Sequence, residues 1–235
     1  MQHEESVGAE PTVTTPEAAG IHPRDTERRI FEAAIEVFAR KGRDGARMQE
    51  IADAAGMNRA LLHYYFRSKQ QLYEDVFAHG FQQFVSSFGH SLEEGSFWHT
   101  LRVFVDRYID YVHDHQDMAR LMVNECISEG SLLGQYLAAA AESGAPTPGS
   151  RMEDRIEEAV AAGDIRPVDP KHTLLTILSA CLFPFVALPT VEAMHPQARE
   201  DFKGFLEVRK QHVYELLRSS LAPERAATLL AEDEP

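Results

Sequence analysis

The segment Met48–Phe66 reads MQEIADAAGMNRALLHYYF. It holds two short runs of helical periodicity broken at Gly56. Met48, Ile51, Ala52 and Ala55 share one face of a first helix. Asn58 can cap a second, Arg59–Phe66, in which Leu62 and Phe66 lie one turn apart. Two short helices joined by a tight glycine-containing turn have helix-turn-helix proportions. The small residues Ala52, Ala54 and Ala55 let the two approach closely. The second helix then presents Arg59, Ala60, His63 and Tyr64 on the side opposite Leu62 and Phe66. Reading a major groove needs such a face, with a donor near the helix start, a small neighbour, and hydroxyls that reach the phosphates. The N-termini of this helix and of the one after Ser68 can also receive phosphates.

Helical periodicity continues on both sides, and no run alternates with period two between turn signals. Residues 25–41 carry Ile30, Ala34, Val37 and Phe38 on one face, with Asp25 or Thr26 to cap the start and Gly42 to close the end. After Ser68 comes a long helix with Leu72, Val76, Phe77, Phe81, Phe84 and Phe88. Further helices are expected from about Phe97 to His115, from Asp117 into the 130s, over Arg151–Ala162, after Asp169-Pro170, and from Pro196 onward. Ser143–Ser150 reads as a loop. The expected fold is all-α with about nine or ten helices. A disordered tail is expected over 1–23, a three-helix head over 24–70, a helical body over 71–221, and a flexible end over 222–235.

Charge separates these parts. The formal net charge is −14, which argues against coating nucleic acid indiscriminately. Residues 24–70, however, carry ten Lys/Arg against seven Asp/Glu, while 71–235 carry thirteen against twenty-six. A phosphate-binding surface therefore belongs in the head, and the acidic remainder would repel DNA.

The segment Asp25–Phe77 resembles the N-terminal domain of the tetracycline-repressor (TetR) family of regulators. The resemblance rests on Phe38-Ala39-Arg40-Lys41-Gly42, Ile51-Ala52, Ala55-Gly56, Leu62-His63-Tyr64-Tyr65-Phe66, Ser68-Lys69 and Leu72-Tyr73. It implies base-edge contacts from Arg59 and Ala60, and phosphate contacts from Asn58, His63, Tyr64, Tyr65 and Lys69. Where the family often has Thr or Ser, this chain has Ala46 and Arg47; the capping hydroxyl is gone, and Arg47 can supply a phosphate contact by charge. Leu61 likewise stands where a Thr is frequent. The family further implies a homodimer that grips palindromic double-stranded operator DNA, usually to repress transcription, and a small-molecule effector held in the helical body.

In the body, aromatic and Met side chains are denser than three helices obviously need. Phe84, Phe104, Tyr108, Met122 and Cys126 are the expected lining of a mainly apolar pocket, with Asp106, Asp110 and Glu125 near enough to extend its range to lipophilic cations. The alternative is a regulator controlled by a protein partner, or by no ligand. The uncharged stretch Thr173–Val191 is long enough to be weighed as a membrane span. Pro184 and Pro189 interrupt it, and it reads instead as a helix of a core or subunit interface. Leu174 and Leu178 there, with Phe205 and Val213 of the last helix, are the expected dimer contacts. No membrane partner, cofactor, metal site or catalytic constellation is expected: the 11 His show no ligand spacing, and no phosphate loop or nucleophile elbow occurs. Cys126, a lone Cys, reads as core. Two unpaired Cys and no signal-like start suit a cytoplasmic protein.

Overall fold

Capping side chains set most of the helix starts described, and left-handed glycines close α7 and α8. The computed structural model describes residues 23–88, 92, 95–128 and 131–223. The expected tail up to residue 22, and the expected flexible end from 224, lie outside the described residues. Twelve helices are present among those described: α1 (Pro23–Gly45), α2 (Met48–Ala54), α3 (Arg59–Tyr65), α4 (Lys69–Phe88), α5 (Phe97–Asp114), α6 (Gln116–Cys126), α7 (Leu132–Ser143), α8 (Pro148–Ala162), α9 (Pro170–Val186), α10 (Leu188–Met194), α11 (Pro196–Glu200) and α12 (Phe202–Leu221). No strand occurs among them.

The excess over nine or ten comes from three breaks that periodicity does not reveal. The helix expected to run from Asp117 into the 130s ends at Cys126, and Ser131 caps a new one by accepting from Gly134 N. Helices α9 and α10 part at Ala187, whose φ of −108° and ψ of 30° leave the helical region. They meet at a bend of 82°, with Pro189 in the first turn of α10, where its missing N–H costs nothing. Asp201 starts α12 by accepting from Gly204 N, leaving Pro196–Glu200 as a separate turn. Gly204 lies so close to the Asp201 carboxylate that an added Cβ would collide with it. Helix α8 begins at Pro148, three residues before the expected start, because Thr147 and Ser150 form a reciprocal capping box. Gly42, expected to end α1, takes a φ of 70° but is followed by one more short turn to Gly45.

The described chain divides into two compact units, one ending at Phe77 and the other beginning at Ala78. The first is built on Ile30, Val37, Phe38, Ile51, Leu62, Leu72 and Phe77, all at most 1% exposed. Phe38 meets the Tyr73 ring edge-on at 4.9 Å. In the second unit α5 supplies Leu101, Phe104, Val105 and Ile109 to a core shared with Met152 and Ile156 of α8, Ile177 and Cys181 of α9, and Leu206 and Val213 of α12. Fully burying each such side chain stabilises by roughly 1.5–3 kcal/mol.

This core corrects the expected dimer contacts. Leu174 is 7% exposed and Val213 1%; both are enclosed within their own chain and have no surface left for a partner. Leu178 turns toward a cavity, and Phe205 is half-buried against Phe202 and His195. The outward apolar residues are instead Leu175, Phe183 and Val186 on α9 and Val208 and Leu216 on α12. Among the described residues no single helix is long and apolar enough to cross a membrane.

Candidate nucleic-acid interface and ligand cavity

Helix α3 is oriented by what it buries. Leu62 is fully buried and Phe66 4% exposed, so the opposite face is fixed outward. Arg59 and Ala60 are exposed there, and Tyr64 is 73% exposed. His63 is half-buried and accepts from Arg59 Nε at 3.2 Å, which holds the guanidinium along the helix surface. Tyr65 is half-buried, its ring between those of Tyr64 and Phe66. The turn before α3 depends on Gly56, whose φ of 66° lies in the left-handed region. Arg29 Nη2 donates to Ala55 O at 2.7 Å and ties this turn to α1. Ala52 and Ala55 are buried as expected of close-packed helices, but Ala54 faces solvent and takes no part in the approach.

The remaining head residues have more than one task. Asn58 Oδ1 accepts from Leu61 N at 2.7 Å and caps α3. Arg47 is the exposed N-cap of α2 and makes no side-chain cap there, so its guanidinium is not committed to the helix end. Lys69 Nζ donates to Asp44 O at 3.0 Å and Ala46 O at 3.1 Å. It therefore fastens the backbone between α1 and α2, a role its place at the start of α4 did not suggest.

The second unit holds a cavity of about 370 Å³ that opens to solvent on the side where Cys126, Leu137 and Leu175 are exposed. All five residues named from the sequence line it: Phe84 from α4, Phe104 and Tyr108 from α5, Met122 and Cys126 from α6. Further wall comes from α7 through Leu133 and Leu137, and from α9 through Leu175, Leu178 and Leu182. Phe104 and Tyr108 stack with centroids 6.0 Å apart, and Phe84 meets Tyr108 edge-on at 5.9 Å. Cys126, expected in the core, is an exposed residue at the end of α6; Cys181 is the buried one.

The three acids expected to draw lipophilic cations are not in this wall. Asp110 Oδ1 is 2.5 Å from Lys210 Nζ, which Glu207 also holds at 2.6 Å. Burial works to lower the Lys210 pKa, but those two carboxylates outweigh it and hold the ammonium above its usual range. Asp106 lies 4.0 Å from Arg102, and burial raises its carboxyl. Glu125 is buried and accepts from Leu132 N at 2.6 Å, fastening the start of α7.

The sequence matches the family of bacterial regulatory proteins, tetR family, over residues 30–76. It matches the tetracyclin repressor-like C-terminal domain over residues 99–216, half of the chain. The chain belongs to the TetR family. Among curated relatives, the transcriptional repressor SCO4008 of Streptomyces coelicolor is 32% identical over 109 residues, covering 46% of this chain and 54% of the relative. The transcriptional activator FasR of Mycolicibacterium smegmatis is 32% identical over 120 residues, covering 50% of this chain and 55% of the relative. This TetR-family chain thus spans about half the length of either. The crystal structure of AibR in complex with isovaleryl coenzyme A and operator DNA shares the fold, with a TM-score of 0.59 and 23% identity over 68% of this chain and 85% of that one.

Proposed function

We propose that this TetR-family protein is a DNA-binding transcriptional repressor that grips a palindromic operator as a homodimer and leaves it when a small, mainly apolar or aromatic effector fills the cavity of the second unit. The reading rests above all on α3, whose buried Leu62 fixes Arg59, Ala60 and Tyr64 outward at the start of a helix that follows a left-handed glycine turn. The local excess of Lys/Arg in 24–70 supports it, because phosphate contacts carry most of the affinity. Arg47, Asn58, His63, Tyr65 and Lys69 complete the proposed contact surface, Lys69 in part by bracing the α1–α2 backbone. AibR, with the same fold, has been crystallised with both an acyl coenzyme A and operator DNA. Action on DNA places the proposed working site in the cytoplasm.

Two heads reading successive major grooves must stand about 34–36 Å apart. A ligand that favours any other spacing weakens DNA binding by its affinity ratio for the two shapes, and DNA weakens the ligand equally.

The test is selection of duplexes from a randomised pool by the full chain, followed by anisotropy titrations. Enriched sequences should be palindromic. Arg59→Ala should lose on the order of 1–3 kcal/mol of discrimination at particular base pairs while its affinity for random DNA changes little. No enrichment, or an Arg59→Ala variant with unaltered preference, overturns the reading.

A further inference from the structure

The cavity wall contains no charged side chain. Its hydroxyls are almost all committed within the protein. Tyr111 donates to Gly80 O at 3.3 Å, Ser179 to Leu175 O at 2.7 Å, and Thr147 belongs to the capping box of α8. Tyr108 is the exception. Its hydroxyl makes no hydrogen bond with the described residues, and its ring is held between Phe84 and Phe104. The thiol of Cys126 is the other free polar group of the wall, and a weak one.

We infer that the cavity takes an uncharged, mainly apolar molecule bearing one hydrogen-bonding group, which meets the Tyr108 hydroxyl. This deepens, and rests on, the reading of the cavity as an effector site. Burial raises the Tyr108 hydroxyl well above the usual phenol range, and burial raises the Cys126 thiol too, with Glu125 adding to it. Both groups stay protonated, so the wall offers donors and no ionic partner. An anion or cation seated against this wall would shed part of its hydration and gain no counter-charge. The acids once expected to draw cations are engaged elsewhere, Asp110 with Lys210 and Glu125 with the start of α7. A wholly apolar ligand would fill the space but leave the Tyr108 hydroxyl buried without a partner. A neutral ligand with a single polar group satisfies both conditions.

Three probes of one shape separate these cases: naphthalene, 2-naphthol and 2-naphthoate, titrated by calorimetry into the full-length protein. 2-Naphthol should bind at least tenfold more tightly than 2-naphthoate. Tyr108→Phe keeps the ring and its stacking; it should weaken 2-naphthol by about tenfold and leave naphthalene unchanged. Met122→Trp, which projects bulk into the cavity, should abolish all binding. If 2-naphthoate binds as well as 2-naphthol and Met122→Trp still abolishes it, the uncharged-ligand inference fails and the effector cavity stands. Unchanged 2-naphthol affinity in Tyr108→Phe overturns the role of the hydroxyl in the same way. Binding that survives Met122→Trp, or no binding of any probe, overturns the cavity reading with it.

Discussion

Cys181 lies on the buried side of α9, fully enclosed among the α5 and α12 side chains. Burial pushes its thiol up to about 12, from 9.0 in the unfolded chain; the Arg209 charge opposes this less strongly. Between those values the unfolded chain has lost its thiol proton and the folded chain has kept it, so the folded state binds more protons. Stability must then fall as pH rises, by up to about 1.4 kcal/mol per unit for this one group. Thermal unfolding between pH 8 and 11 should show wild type losing stability more steeply than Cys181→Val. Equal slopes would mean that the thiol is hydrated in the folded state. Other residue-level features differ in how readable they were. Phe84, Phe104 and Tyr108 stood out because aromatic and Met side chains together on α4, α5 and α6 exceed what packing needs. Leu133, Leu137 and Leu182 line the same cavity unannounced, since leucine at helical spacing looks alike in a core and in a cavity wall. The bracing role of Lys69 was also hidden, because its acceptors are backbone carbonyls at Asp44 and Ala46.

Among elements, α4 and α6 meet at a close glycine contact in the second unit. Met118, 4% exposed, lies over Gly80, where any Cβ would collide with its sulfur. Tyr111 Oη also donates to the Gly80 carbonyl. The next residues along α6, Ala119 and Met122, line the cavity. Gly80→Ala gains about 1 kcal/mol of helix propensity but overpacks a closed site, which costs about 1–3 kcal/mol. The expected result is a net loss of roughly 1 kcal/mol. Met118→Ala alone should cost about 2–5 kcal/mol, and the double variant should cost less than the two combined. Strict additivity in denaturant melts would show that the two side chains do not meet. Helix types and some caps were legible in the sequence: Asn58 and Asp169 cap α3 and α9 as their positions suggest. The start of α8 was not, because Pro148-Gly149 signals a turn, although proline also suits the first position of a helix. Which side of α9 faces inward was equally unreadable. A helix apolar all round has no preferred face, so Leu174 and its neighbour Leu175 exchange roles at no cost to the pattern.

On the scale of the whole molecule, the outward faces of α9 and α12 offer an apolar surface to the second copy proposed above. Leu175, Phe183 and Val186 are more than half exposed, as are Val208 and Leu216. Val208, His212 and Leu216 follow one another at one-turn intervals on α12, and Arg209 Nη2 ties that helix to α9 through Ala180 O at 2.8 Å. Two such helix pairs related by a twofold axis would close a four-helix interface of the kind homodimers use. Leu216→Glu is the incisive variant, because Leu216 is 59% exposed and its loss leaves the protomer core intact. Sedimentation velocity at micromolar concentration should show a wild-type dimer and a Leu216→Glu monomer with the same circular dichroism. The monomer should bind a half-site but not hold a palindrome. Salt adds a second signature. Residues 71–235 carry thirteen Lys/Arg against twenty-six Asp/Glu, so two bodies repel one another until salt screens them beyond about 10 Å at 0.1 M. Binding to operator, which releases counterions, must weaken over the same range. Raising salt from 50 to 200 mM should therefore tighten the dimer while loosening the DNA complex. A dimer that weakens with salt would point to an interface made by opposite charges rather than by these apolar faces, and persistence of the Leu216→Glu dimer would rule out α12 as part of it.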